Sequence, residues 1–226
     1  MEIFIRIIGY FVLLFAITIH ESAHGWAALK MGDPTAYNLG RISLNPLHHI
    51  DPIGTVLLPL IMMFTGIPFF GWAKPVPVNP LNLRNPRRDN LLISAAGPFS
   101  NLIAAAFFLI AIIILKFFIP SLANFFRSLL IGGPGFSVGF HPIQGLALIL
   151  FYGALINALL AIFNLIPVPP LDGSGVLMGF LSDEATEKYE KIRPYGFLII
   201  LALLLLRVLD LIFRPVYILI ATIALI

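Results

Sequence analysis

The 226-residue sequence contains no cysteine, and this absence restricts its chemistry. Disulfide bonds are excluded, and so is every metal site that needs a thiolate ligand. A metal ion bound to this protein must therefore be held by histidine nitrogen and carboxylate oxygen atoms.

Charged side chains are also scarce, at 11% of residues, whereas 59% of residues are hydrophobic. A chain of this length cannot bury so much apolar surface in one core and remain water-soluble. The net charge is only +3, and the basic residues cluster between apolar segments, which indicates membrane orientation rather than nucleic-acid binding. The composition predicts an integral protein of the lipid bilayer with no nucleic-acid partner.

Several apolar stretches reach the roughly 20 residues that a helix needs to cross a bilayer. The clearest are Ile3 to Leu29, Leu91 to Ile119, and Pro142 to Ile166. Pro52 to Phe70 is shorter and contains two prolines, and Gly196 to Ile226 has charged residues and a proline in its middle, so we expect a broken span there. The sequence predicts an all-α polytopic membrane protein with about five to six transmembrane or re-entrant segments.

The first apolar stretch contains the motif His-Glu-Ser-Ala-His at residues 20–24. On a helix, residues four apart share a face, so His20 and His24 can reach one Zn²⁺ with Glu21 beside a metal-bound water. Ionisable groups are costly in hydrocarbon and usually face a bundle interior or a cavity. The motif therefore predicts a hydrolytic metal site at membrane depth, and the alternative is the ion site of a membrane carrier.

A catalytic zinc usually has three protein ligands, and Asp172 is the candidate for the third. It follows a run with three prolines in five residues, which ends the preceding apolar stretch and frees backbone carbonyls. Asp172 could instead cap the helix that follows. The other acid near a helix break, Asp210, has arginine neighbours, and we expect it to pair with Arg214 four residues on.

Three motifs in order carry a family resemblance: the His-Glu-x-x-His motif, Gly-Pro-Phe-Ser-Asn at 97–101, and the Asn-x-x-Pro-x-x-x-x-Asp-Gly run from Asn164 to Gly173. With the stretches GRISLNPLHHIDPIGT and GWAKPVPVNPLNLRNPRRD, they resemble the site-2 protease family of intramembrane zinc metalloproteases. The match is to a compact prokaryotic subgroup without an appended PDZ or CBS domain, and it covers most of residues 16–182.

The resemblance implies an enzyme that cuts a peptide bond in or near the transmembrane segment of another membrane protein, as in regulated intramembrane proteolysis. It divides the chain into a metalloprotease core at 1–182 and a C-terminal loop with transmembrane segments at 183–226. The oligomeric state cannot be predicted from the sequence.

The resemblance also implies roles for individual residues. His20, His24 and Asp172 would bind one Zn²⁺ per chain, and Glu21 would be the general base. Asn164 or Asn101 has the amide chemistry to donate a hydrogen bond to the developing oxyanion, and the resemblance favours Asn164. A buried asparagine can equally form an interhelical hydrogen bond.

The second motif and the loops carry further expectations. We expect Gly97 and Pro98 to open the second span and Asn101 to serve in packing. Alternation of polar and apolar residues from Thr35 to Pro46 suggests a short hairpin, and three prolines predict extended backbone from Gly71 to Pro80.

Such extended segments near the active site could pair with a substrate strand, although ordinary interfacial loops give the same signal. His48 and His49 could form a second metal site, but we interpret them as solvated loop residues.

The distribution of basic residues predicts the orientation of the chain in the cell membrane. Residues 71–90 form the most basic loop, which we place in the cytoplasm; its cations are Lys74, Arg84, Arg87 and Arg88. If the three motifs meet, the active site lies towards the cytoplasmic side and the N-terminus lies outside. Residues 52–70 must then dip into the membrane and return rather than cross it.

Overall fold

The computed structural model describes residues 2–65, 71–131 and 141–226. Within these ranges the chain is helical and contains no β-strand. The α-helices are α1 (Glu2–Met31), α2 (Thr35–Asn38), α3 (Leu58–Thr65), α4 (Pro86–Phe118), α5 (Leu122–Ile131), α6 (Pro142–Asn164), α7 (Asp172–Phe180), α8 (Asp183–Glu190), α9 (Gly196–Leu205) and α10 (Val208–Leu225). A π-helical segment, Pro52–Leu57, leads directly into α3, and 3₁₀ turns lie at Pro46–His48, Pro80–Asn82 and Arg193–Tyr195.

Four of these helices are long and apolar enough to cross a membrane: α1, α4, α6 and α10. The prediction of an all-α polytopic membrane protein is therefore confirmed. The segment from Pro52 to Met62 is helical but shorter than a span, and residues 66–70 of the predicted dipping segment lie outside the described ranges.

Helix α4 is central, because it packs against α1, α6 and α7. The main apolar core lies between α4, α5, α6 and α10. On α6 this core uses small residues, including Ala147, Ala154 and Ala158, which allow helix backbones to approach closely where no hydrophobic effect drives helix association. Close packing on α4 thus fixes the elements that carry the three sequence motifs.

The expectation that Gly97 and Pro98 open the second span is wrong. Helix α4 begins at Pro86, so both residues lie inside it, and both are buried. Proline at the first helical position loses no hydrogen bond, and in α4 that position is occupied by Pro86 and not by Pro98.

The expected hairpin between Thr35 and Pro46 is also wrong, because Thr35 starts the helical turn α2. The Asp33 carboxylate accepts hydrogen bonds from the Thr35 amide and hydroxyl, which stabilises that turn. Asp33 also accepts from the Asn79 amide and the Asn82 side chain. Burial alone would raise the pKa of Asp33, but these hydrogen bonds lower it below its ordinary value.

Residues 71–79 contain neither helix nor strand, and Asn79 at their end has extended backbone. We call them the strap. Asp33 holds the Asn79 end, and the amide of Lys74 donates to the His49 carbonyl at 3.0 Å. The Arg41 guanidinium is buried and donates from Nη2 to the carbonyl oxygens of Lys74 and Pro75. The strap is therefore fixed against the loop that follows α1.

The C-terminal apolar stretch is broken into α9 and α10, as predicted. The break lies at Arg207, which adopts the left-handed conformation with φ of 57°, whereas Pro215 is accommodated inside α10. Asp210 pairs with Arg207, at 2.8 Å between Oδ2 and Nε, and not with Arg214 as expected. Arg207 is the N-cap residue of α10, so its side chain pairs with an acid in the first turn of that helix.

Candidate metal centre

The structure brings His20, His24 and Asp172 together, although Asp172 lies far from the other two in sequence. The histidines lie one turn apart on α1, with ring centroids 4.6 Å apart. The Asp172 Oδ2 atom is 2.9 Å from His20 Nε2 and 3.3 Å from His24 Nε2. Among the histidine and acidic side chains of the described residues, these three are the ones that lie close enough together to hold a metal ion as a group of three.

The loop after α6 places Asp172 at the first position of α7. The N-cap residue of this helix is Leu171, which makes no side-chain capping bond, so the alternative of Asp172 as the N-cap residue does not match the helix start. Gly173 is needed for the close approach of this loop, because a Cβ there would collide with the Leu165 carbonyl. The Asp-Gly pair thus turns the chain so that the carboxylate faces α1.

The outer nitrogen of each histidine has an acceptor as its partner. His24 Nδ1 is 2.7 Å from the Ile93 carbonyl oxygen, which can only accept. His20 Nδ1 is 2.6 Å from Asn101 Oδ1, which also accepts because the amide nitrogen of Asn101 donates elsewhere. Both Nδ1 atoms must therefore carry the hydrogen, and a neutral imidazole then presents only a lone pair at Nε2.

Three electron-pair donors consequently converge on one point: two Nε2 lone pairs and Asp172 Oδ2. The Oδ2 atom is buried, and in the described residues no donor from outside this group of three contacts it. Such an arrangement is unfavourable unless a cation neutralises it. Two imidazoles and one carboxylate form a ligand set that zinc accepts in catalytic sites, so these residues fit a zinc ion.

Glu21 lies beside this group but is not one of its members. Its Oε2 atom accepts a hydrogen bond from the Val76 amide of the strap at 2.9 Å. Val76 lies between Pro75 and Pro77, which have no amide hydrogen, so it is the one backbone donor of that tripeptide. The strap therefore fixes one oxygen of the carboxylate next to the metal ligands.

Two asparagines that support the site were not recognised as such in the sequence. Asn101 was expected to serve in packing, yet its Oδ1 binds His20 and it is fully buried. Asn157 binds Asn101 and lies in the apolar helix α6. Its position in an apolar span was the available signal, because buried polar residues in membranes usually have a partner.

Asn164 is not brought into contact with the three ligands in the described hydrogen bonds. Its Nδ2 donates to the Leu160 carbonyl at 2.9 Å, one turn back on α6. Its role as oxyanion donor stays a prediction.

The adjacent histidines of the loop differ from each other. His48 is exposed, as expected, but the expectation of a solvated residue is wrong for His49, of which 2% is exposed. Its Nε2 is 2.9 Å from the Ser43 carbonyl, to which it donates. Burial lowers the pKa of His49, and this hydrogen bond opposes the shift only in part. His49 is thus a neutral structural residue beside the strap.

Gly97 provides the space for the two imidazoles. A Cβ at this position would lie 2.6 Å from His24 Cε1 and 2.7 Å from His20 Cε1. We expect Gly97→Ala to displace both rings and weaken zinc binding by about 10- to 100-fold, the range found when ligand orientation is disturbed. Competition with a chelator measures this affinity.

Gly145→Ala is the matched control, because in the described residues no atom beyond its chain neighbours and its own helix backbone lies within 4 Å of a Cβ at Gly145 on α6. Equal zinc affinity for Gly97→Ala, Gly145→Ala and the unchanged protein would contradict this account of Gly97.

Comparison with known proteins identifies relatives over most of the chain. The model of peptidase family M50 matches residues 8–207. The "Putative zinc metalloprotease YwhC" of Bacillus subtilis is 36% identical over 84% of this chain and 77% of its own length. The "Putative zinc metalloprotease Rip2" of Mycolicibacterium smegmatis is 30% identical over 88% of this chain and 68% of its own length. No solved structure gave a significant match.

Proposed function

The chain belongs to peptidase family M50, the site-2 protease family, and from this premise we propose that it is an intramembrane zinc endopeptidase. Its substrate would be a peptide bond in or near the transmembrane segment of another membrane protein. The observation that supports this best is the convergence of His20, His24 and Asp172. Glu21, which is not one of the three candidate ligands, lies beside the histidines on α1, a helix of membrane-spanning length. Family membership favours hydrolysis over the alternative of an ion carrier.

One zinc ion per chain, held by His20, His24 and Asp172, would lower the pKa of a water molecule towards about 7 and polarise the substrate carbonyl. Glu21 then accepts the proton of the attacking water and returns it to the leaving amine. The Val76 amide holds Oε2 of Glu21, so the second carboxylate oxygen is the one assigned to proton transfer.

Asn164 is our proposed donor to the oxyanion that develops at the substrate carbonyl. Its amide nitrogen carries two hydrogens, and the bond to the Leu160 carbonyl uses one of them. The second can donate to the substrate without loss of the first bond.

A transmembrane substrate must unwind before cleavage, because a helix hides each amide in a hydrogen bond to the carbonyl four residues back. We therefore expect substrates with helix-breaking residues near the scissile bond. The strap next to Glu21 contains no helix and its Val76 amide binds Glu21, so an unwound substrate segment could lie alongside it. From family membership we propose regulated intramembrane proteolysis as the process to which this cleavage belongs.

The proposal is tested with the purified protein in lipid vesicles and a labelled model substrate that has one transmembrane segment. We expect two fragments whose masses sum to that of the substrate plus one water, with the cut in or beside the membrane segment. Loss of cleavage with a zinc chelator and its return with zinc are also expected. Absence of cleavage in zinc-loaded protein, across substrates with helix-breaking residues, would contradict the proposal.

We also propose that the active site faces the cytoplasmic side of the cell membrane. The chain has no native cysteine, so single-cysteine variants report orientation without background. An impermeant thiol reagent outside intact cells should label Glu2→Cys but not Leu44→Cys or Leu81→Cys, two positions at exposed side chains. All three should react once the membrane is permeabilised, and labelling of position 44 from outside would overturn this orientation.

A further inference from the structure

We propose that Asn101 and Asn157 form a positioning relay that holds the His20 imidazole in the orientation required for zinc. The inference rests on the proposed zinc site and assigns residues that act through a ligand. Neither asparagine contacts the Asp172 carboxylate or the Glu21 carboxylate in the described hydrogen bonds.

The first member of the relay, Asn101 on α4, has a single possible amide orientation. Its Nδ2 lies 3.0 Å from the Ala16 carbonyl of α1 and 2.8 Å from Asn157 Oδ1, and both of these atoms accept. The amide nitrogen must therefore point to them, which leaves Oδ1 to accept from His20 Nδ1 at 2.6 Å. Because none of Asn101 is exposed, water cannot replace any of these partners.

The second member, Asn157 on α6, fixes the first. Its Nδ2 donates to the Gly153 carbonyl at 2.8 Å, so its Oδ1 is the oxygen that faces Asn101. Asn157 is 1% exposed. Hydrogen bonds therefore run in one direction, from His20 to Asn101 to Asn157 and finally to backbone carbonyls, and each donor nitrogen has at least one acceptor.

The relay treats the two histidine ligands differently. His24 is oriented by a backbone carbonyl, that of Ile93, which no side-chain substitution removes. His20 depends on side chains from two other helices. Substitutions in the relay should therefore remove a direct partner of His20 but not of His24, and weaken zinc binding without abolishing it.

The relay also joins three of the four helices that are long enough to span a membrane. Asn101 on α4 bonds to the α1 backbone at Ala16 and to Asn157 on α6. A hydrogen bond among helices in an apolar environment helps to fix their relative positions. The same amide that orients the ligand thus fixes the helix that carries it.

The test measures the zinc dissociation constant by competition with a chelator, together with the visible absorption spectrum of the cobalt(II)-loaded protein. Asn101→Ala should weaken zinc binding by about 10- to 100-fold and change the cobalt spectrum, because His20 loses its acceptor. Asn157→Ala should weaken binding less, since Asn101 keeps its contact with His20 but loses its anchor. Asn157→Asp should retain wild-type affinity, because a neutral carboxyl group there can accept from Asn101 Nδ2 and donate its hydrogen to the Gly153 carbonyl.

A double-mutant cycle separates the relay from two independent structural effects. In a relay, Asn157→Ala adds nothing once Asn101→Ala is present, whereas independent contributions would add. Thr18→Val is the matched control, because Thr18 is buried on α1 but its hydroxyl donates to the Leu14 carbonyl of its own helix. Loss of this hydroxyl should leave zinc affinity and the cobalt spectrum unchanged.

The outcomes distinguish this inference from the proposed function. If the wild-type protein binds zinc and Asn101→Ala has the same affinity and cobalt spectrum, the relay is wrong and the zinc site stands. If Asn101→Ala does not fold, Asn157→Ala becomes the deciding variant. Zinc affinity equal to that of the wild type in Asn157→Ala would then overturn the relay. A wild-type protein that binds no zinc would remove the site and the relay together.

Discussion

Replacement of Glu21 by glutamine is expected to abolish cleavage and to leave zinc bound. Glutamine has the same shape and can still accept the Val76 amide hydrogen through its carbonyl oxygen, so the strap should keep its position. It cannot take a proton from water at neutral pH. A general base typically contributes about 10²- to 10⁴-fold to the rate, and we expect a loss of at least this size in turnover of the transmembrane substrate.

The control for this substitution is Glu184→Gln, the same change at an exposed residue of α8 that pairs with Lys188. It should retain both activity and zinc. Wild-type turnover by Glu21→Gln would exclude Glu21 as the base, and loss of zinc from this variant would indicate that Glu21 is a ligand.

Replacement of Asp172 by alanine is expected to remove both tight zinc binding and activity. Two imidazoles alone leave the metal without the negative charge and the third coordinating atom that Oδ2 supplies. The weakening of zinc affinity should exceed the about 10- to 100-fold loss typical of residues that only support a ligand. Metal content after dialysis and chelator competition measure it.

Asp183→Ala provides the comparison, because Asp183 is an exposed acid that pairs with Arg87. Its zinc affinity should equal that of the wild type. If Asp172→Ala also bound zinc with wild-type affinity, Asp172 would not be a ligand and its role would be limited to the start of α7.

The two histidine ligands could be predicted from the sequence, because they lie only four residues apart. The spacing of His20 and His24 is sufficient, since residues four apart on a helix share a face. Asp172 could be proposed because prolines interrupt an apolar stretch just before it, and an acid at such a break needs a partner. The apolar pattern does not locate the start of the span, because α4 begins at Pro86, five residues before the apolar stretch that begins at Leu91. Proline is favoured at the first position of a helix.

The supporting contacts could not be predicted, because they depend on how the helices pack. Asn101 and Asn157 become partners only when α4 and α6 are adjacent, and nothing in either local sequence specifies that register. The burial of His49 likewise depends on the strap, which lies more than 20 residues further along the chain. The hairpin expected after Thr35 was wrong because one carboxylate, that of Asp33, stabilises a helical turn against the alternating pattern.

The most direct test of the account is stepwise return of zinc to metal-free wild-type protein in lipid vesicles, with cleavage of the transmembrane substrate measured at each step. We predict no cleavage without metal, a rise in proportion to bound zinc, and saturation at one zinc ion per chain. Cleavage that persists in the metal-free protein, or that does not follow zinc occupancy, would contradict the claim that His20, His24 and Asp172 form the hydrolytic centre.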